Sequence, residues 1–156
     1  MEKQITYQQI ADYFIALSNE VQEPITNLKL QKLVYFVQAW YLAYKKEPLF
    51  DEDFQAWVHG PVLRDLYDKY SSNEWRPIIE KKEPSKEIFA KFDKDLQLII
   101  SEVVESYFPL TAYELERISH SDEPWIKARK GLSIDEPSNN VIEKEWMEKY
   151  YASLMK

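Results

Sequence analysis

The sequence predicts a mainly α protein: a single compact helical domain of about six to seven helices around one buried central helix, with room for one short extended segment. Three observations carry this. Glycine is nearly missing, with only Gly60 and Gly131 in 156 residues, so the φ > 0 turns of hairpin-rich β folds have few sites. Apolar residues recur at helical spacing along most of the chain. A hydrophobic share of 45% and an aromatic share of 15% supply a ring-rich core that a domain of this length can bury. No repeat, low-complexity tract or linker divides residues 1–156, so they read as one domain.

The elements follow in order. Thr6 and Gln9 form a capping-box pattern, with Ile5 and Ile10 as its hydrophobic staple. Tyr7, Ile10, Phe14, Leu17 and Val21 then share one helical face, which Asn19 and Pro24 end. Thr26 caps a second helix, stapled by Ile25 and Leu30. Its Leu28, Leu30, Leu33, Val34, Phe36, Val37, Trp40 and Tyr41 leave few polar directions, which makes it the central one. Gly60-Pro61 is a turn signal, and Pro61 suits the first turn of a short helix carrying Val62, Leu63, Leu66 and Tyr67. Residues 71–86, rich in charge and proline, read as a loop with an extended piece near Ile78 and Ile79. Phe89, Phe92, Leu96, Ile99, Val103 and Tyr107 trace one helical stripe that Pro109 closes. Thr111 and Glu114 make a second capping box, stapled by Leu110 and Leu115. A break over residues 119–124 precedes a short helix with Trp125 and Ala128. A loop over residues 131–140 leads to the last helix, which Asn140 and Glu143 start and which presents Ile142, Trp146, Tyr150 and Leu154.

Composition excludes several function classes. Without cysteine there is no disulfide, thiolate metal site or cysteine nucleophile. The opening residues lack the charged-then-apolar layout of a signal peptide, and no apolar run reaches membrane-spanning length. Residues 28–44 come closest, but Lys29, Lys32 and two glutamines interrupt them. A cytoplasmic protein without membrane contact is expected. The net charge of −7 lies beyond the first fifty residues and suits solubility, or steering toward a basic partner. Nucleic-acid binding is disfavoured, because no cationic stripe is present to release counterions.

Catalysis finds little support either. His59 and His120 are the only histidines and show no metal-ligand spacing. Ser119, His120, Ser121 and Asp122 look superficially like triad members, but neighbours in sequence seldom adopt triad geometry. No catalytic residue, cofactor or metal is assigned, and an enzyme is not expected. His59 and His120 suit helix ends and breaks, where they satisfy backbone groups. Trp57 and Trp125 read as core residues.

Three segments together resemble a known family. In the first, Lys29, Leu30, Lys32, Leu33, Tyr35, Phe36, Gln38 and Trp40 match a K-L-x-K-L-L-Y-F-x-Q-x-W pattern. In the second, Trp57, Gly60, Pro61 and Val62 match W-x-x-G-P-V; in the third, Leu115, His120, Pro124 and Trp125 match L-x-x-x-T-H-x-x-x-P-W. Val34 stands where leucine is usual and Ser119 where threonine is usual. In order and spacing these blocks resemble the Panacea antitoxin domain, the family of SocA-like antitoxins and phage-associated GepA-type proteins. The resemblance implies a cognate toxin, encoded nearby, that is neutralised by direct binding. It also implies a rival outcome, delivery of the bound toxin to a Clp-type protease. An operon regulator is a third reading, which the charge disfavours, and the oligomeric state stays open.

The binding surface is expected on the central helix. Gln31, Tyr35 and Gln38 share a narrow stripe beside Lys32, either as buried groups paired within the fold or as a wet groove for a partner. Two lysines near a helix N-terminus oppose the macrodipole, and carrying that cost favours a role elsewhere. Lys29, Gln31, Lys32, Tyr35 and Gln38, with His120 nearby, are therefore the expected partner-binding residues.

Overall fold

The computed structural model describes residues 4–155; residues 1–3, which open the segment read for a leader, and residue 156 lie outside the described residues. Helix α1 (Tyr7–Glu20) and helix α2 (Asn27–Lys45) are followed by strands β1 (Phe54–Trp57) and β2 (Gly60–Val62). Next come α3 (Arg64–Tyr70), a 3-10 turn (Ser71–Asn73), α4 (Ser85–Ala90), α5 (Lys94–Tyr107), α6 (Ala112–His120) and α7 (Glu123–Ala128). Strand β3 (Val141–Ile142) and helix α8 (Lys144–Leu154) complete the described chain. The protein is mainly α, and α2 is its centre: α1, α3, α5, α6, α8 and β2 all pack on it. Every residue from Leu30 to Ala39 is buried, as an almost wholly apolar helix requires.

The cap chemistry works as the sequence implies. Thr6 and Thr111 close complete capping boxes with Gln9 and Glu114. Thr26 accepts from the Lys29 N–H at 3.2 Å. Lys46 ends α2 in the left-handed region at φ 62°.

Four local expectations need correction. The single stripe over residues 89–107 is two helices, because Asp93 takes its side chain to the Leu96 N–H (2.9 Å) and starts α5 afresh. Pro61 lies in β2 and not in a helix, which begins at Arg64. Its missing N–H costs nothing there: β2 is an edge strand, and Ala56, opposite Pro61, sends its own N–H the other way, to the Asn140 carbonyl (2.8 Å). Ile78 forms no strand; it is pinned singly, its N–H to the Ile25 carbonyl and its carbonyl to Asn19. The extended structure is instead a small antiparallel sheet of order β2-β1-β3, in which Phe54 pairs with Ile142. Val141 and Ile142 thus form β3, not the first turn of the last helix, which starts at Lys144.

Among the described residues no helix is long and apolar enough to cross a membrane.

Candidate partner-binding site

The stripe expected to meet a partner turns inward. Gln31 and Gln38 have no exposed surface, and Tyr35 and Lys32 almost none. Most of this polarity has a folding reason. Gln31 donates to Asn27 Oδ1 (2.9 Å) and accepts from the Leu63 N–H (3.0 Å), while Asn27 donates to the Tyr67 carbonyl (3.0 Å). Together they tie α2 to the start of α3, whose N-cap residue Leu63 has no capping side chain of its own. Gln38 holds the chain after α2 by donating to the Phe50 carbonyl (2.7 Å) and accepting from the Leu49 N–H (2.8 Å).

Lys29 also reaches across the fold. Its Nζ donates to the carbonyls of Phe108 and Leu110, 2.7 Å each, and so caps the C-terminal end of α5. The cost it carries at the start of α2 is offset at the end of another helix, where a cation is favourable. The expectation that these side chains face outward therefore gives way to a buried network.

Tyr35 belongs to a second joint. Its hydroxyl donates to Asp122 Oδ2 (2.7 Å), Tyr151 donates to Oδ1 (2.5 Å), and the Trp125 N–H donates to Oδ2 (3.1 Å). One carboxylate thus fastens α2, α7 and α8. Burial pushes the Asp122 pKa up, although these three donors and their favourable pull act against it. Burial likewise pushes Tyr35 and Tyr151 well above the usual tyrosine value, with the Asp122 charge adding to it.

The third block grips the strands. Trp125 Nε1 donates to the Trp57 carbonyl (2.8 Å), and His120 Nε2 donates to the Val58 carbonyl (3.0 Å) while its ring stacks on Trp125 at 4.9 Å. Arg129, which sequence reasoning passed over, donates to the carbonyls of Ala56 (2.9 Å), Ser133 (3.0 Å) and Glu136 (2.5 Å). Its guanidinium also lies 5.1 Å from the Trp125 ring centroid, and a buried cation whose hydrogen bonds all go to backbone carbonyls leaves no spacing signal. Ser119 donates to the Leu115 carbonyl (3.0 Å), so the side chains of Ser119, His120 and Asp122 are each bonded elsewhere and not to one another.

Lys32 stands apart. It is 2% exposed, its Cε lies 3.1 Å from where a Cβ on Gly60 would sit, and Ser119 Oγ lies 2.9 Å from the same point. Gly60 has φ +127°. Only glycine takes that conformation easily and lets the turn backbone close over the lysine. Burial lowers the Lys32 pKa from 10.5 to about 8, against the opposing charge of Glu116.

Beside the turn runs an open groove of about 530 Å³. Leu28, one helical turn before Lys32, lines it together with Trp57, Val58, His59, Arg64 and Tyr67. The Trp57 ring meets Tyr67 edge-on at 4.8 Å, and the Arg64 guanidinium lies 5.5 Å from its centroid. Trp125 is a core residue, but Trp57 is only half-buried, which corrects its assignment to the core. Exposed His59 pairs through Nδ1 with Glu116.

Comparison with known proteins covers this region. Residues 30–126 match the family described as "Antitoxin SocA-like, Panacea domain". The Antitoxin SocA of Caulobacter vibrioides (strain NA1000 / CB15N) is 31% identical over 125 residues, spanning 74% of this chain and 66% of that protein. The match thus falls just short of two thirds of that relative's length. No solved structure matches.

Proposed function

Because the chain belongs to the SocA-like, Panacea-domain antitoxin family, we propose that it neutralises a cognate toxin, encoded beside it, by binding that toxin directly. The observation that carries this reading is the family match itself. It runs from Leu30 to Ile126 and so takes in the joint where α2, the β1–β2 turn and the α6–α7 break meet. The geometry supports this reading with a contact face: the groove at Trp57, Arg64 and Tyr67 presents the side chains in which interface anchors are richest.

Co-expression tests the reading. The protein should restore growth to cells making the neighbouring toxin, and the two should co-purify. Rescue without a complex would point to enzymatic reversal of the damage instead. Rescue that disappears in cells lacking the Clp-type protease would replace simple blocking with delivery for degradation.

A further inference from the structure

The groove beside the β1–β2 turn carries charge as well as aromatic rings. Two basic side chains line it, and each has a carboxylate of its own. Arg64 Nε lies 3.5 Å from Asp68 Oδ2, one turn along α3, and His59 is bonded through Nδ1 to Glu116. Asp135 lines the same groove and is exposed, and among the described residues its carboxylate forms neither an ion pair nor a hydrogen bond.

We propose that this groove receives an arginine or lysine side chain of the toxin, its charge paired with Asp135 and its stem laid against Trp57 and Tyr67. The proposal rests on the antitoxin reading above and names the partner chemistry of the same face.

The carboxylate is placed before any partner arrives. Asp135 sits in a turn that Ser133 and Glu136 close, the Glu136 N–H donating to the Ser133 carbonyl at 3.1 Å. From inside the fold the Arg129 guanidinium donates to both of their carbonyls, 3.0 Å to Ser133 and 2.5 Å to Glu136. Asn140 ties the far end of the loop to the Ala128 carbonyl (3.0 Å). Buried Arg129 thus braces the turn through its backbone and is not bonded to the Asp135 carboxylate. A group held in this way loses little freedom on binding.

The rings suit the same occupant. Cations are attracted to the faces of tryptophan and tyrosine, and Trp57 already holds the Arg64 guanidinium 5.5 Å from its centroid. Tyr67 is inclined at 61° to Trp57, so the two rings line the groove in different orientations. Leu28 and Pro137 add apolar wall for the methylenes of a long basic side chain. Charge decides between a basic and an acidic visitor. Arg64 is a cation in the groove, but Asp68 offsets it, whereas nothing offsets Asp135. The net charge of −7 draws basic surfaces toward the chain and repels acidic ones.

The test takes the full-length protein, Asp135→Asn and Asp135→Lys, and measures the thermal midpoint of each alone and its affinity for the toxin encoded beside it. Asp135 is exposed, so both midpoints should stay at the wild-type value. Affinity should fall about tenfold in Asp135→Asn and further in Asp135→Lys, where like charges meet. On the toxin, Arg→Gln and Lys→Gln replacements should include one that weakens the wild-type complex about tenfold and the Asp135→Asn complex not at all. Wild-type affinity in Asp135→Asn overturns the proposal. So does a loss of affinity, at whatever midpoint, that no arginine or lysine of the toxin shares with Asp135. If the unaltered protein forms no complex with the toxin, the antitoxin reading itself fails and takes the proposal with it, a result distinct from the other two.

Discussion

A lysine ammonium held in the interior makes stability depend on pH in an uncommon direction. The folded value for Lys32, about 8, lies below the ordinary 10.5. Between those values the unfolded chain binds more protons, so stability rises with pH; below about pH 8 the whole cost is present. The gap corresponds to on the order of 3 kcal/mol. Lys32→Met should therefore exceed the wild type in stability near neutral pH, with the difference shrinking toward pH 10. Denaturant midpoints across that range check it, and a difference independent of pH would mean the ammonium is not its source. Asp122 behaves as a fastener. Asp122→Ala strands the Tyr35 and Tyr151 hydroxyls and uncaps α7, and should cost about 3 kcal/mol or more, since each buried donor left unpaired costs about 1–3. Asp122→Asn, which keeps an acceptor, should cost less in the same unfolding measurement. The two tryptophans should separate as well. Trp125→Ala should lose about 3–5 kcal/mol, as a buried ring does. Half-buried Trp57→Ala should lose only about 1–2 kcal/mol, and toxin affinity measured beside thermal unfolding would show whether it serves the interface.

At the scale of elements, short polar signals decide where helices begin. Thr111→Ala removes an acceptor from an exposed capping box and should cost about 1 kcal/mol in thermal unfolding. Gly60→Ala is a different kind of change. It forces a side chain to φ +127° and against Ser119 and Lys32, so a loss of about 1–3 kcal/mol is expected. A loss no larger than that of the cap would mean the turn relaxes, and that the close approach does not constrain the element. The split between α4 and α5 follows the same logic as the caps. The apolar stripe runs on across the gap, but Asp93 offers the Leu96 N–H an acceptor, and the backbone restarts there. Periodicity registers the face and not the interruption.

For the whole molecule, α2 is the member on which α1, α3, α5, α6, α8 and β2 all pack. The charge of −7 also bears on partners. Binding to the promoter DNA of its own operon should be weak even at low salt, because few phosphate contacts are available. Tight, sequence-specific binding by the free protein in a gel-shift assay would overturn that and favour a regulator.

By itself the sequence determined the helical class, the central place of α2 and the starts of α1, α2 and α6. Each of these is local: a cap is a contact over three residues, and an amphipathic face repeats every turn. It also determined that Lys32, Gln38, Trp57 and His120 belong to one recurring pattern. It could not say which way those residues face. Gln31 is satisfied by a backbone group 32 positions away, Lys29 by carbonyls 79 and 81 positions away, and Tyr35 by a carboxylate 87 positions away. The strands were hidden for a related reason. β1, β2 and β3 are two to four residues long, too short for alternation to register, and β3 meets β1 only because the intervening helices bring it back. A polar side chain in an apolar helix looks the same in sequence whether it meets a partner protein or its own backbone. Only the tertiary structure, by supplying internal partners for Lys29, Gln31, Tyr35, Gln38 and His120, shows that these side chains serve the scaffold.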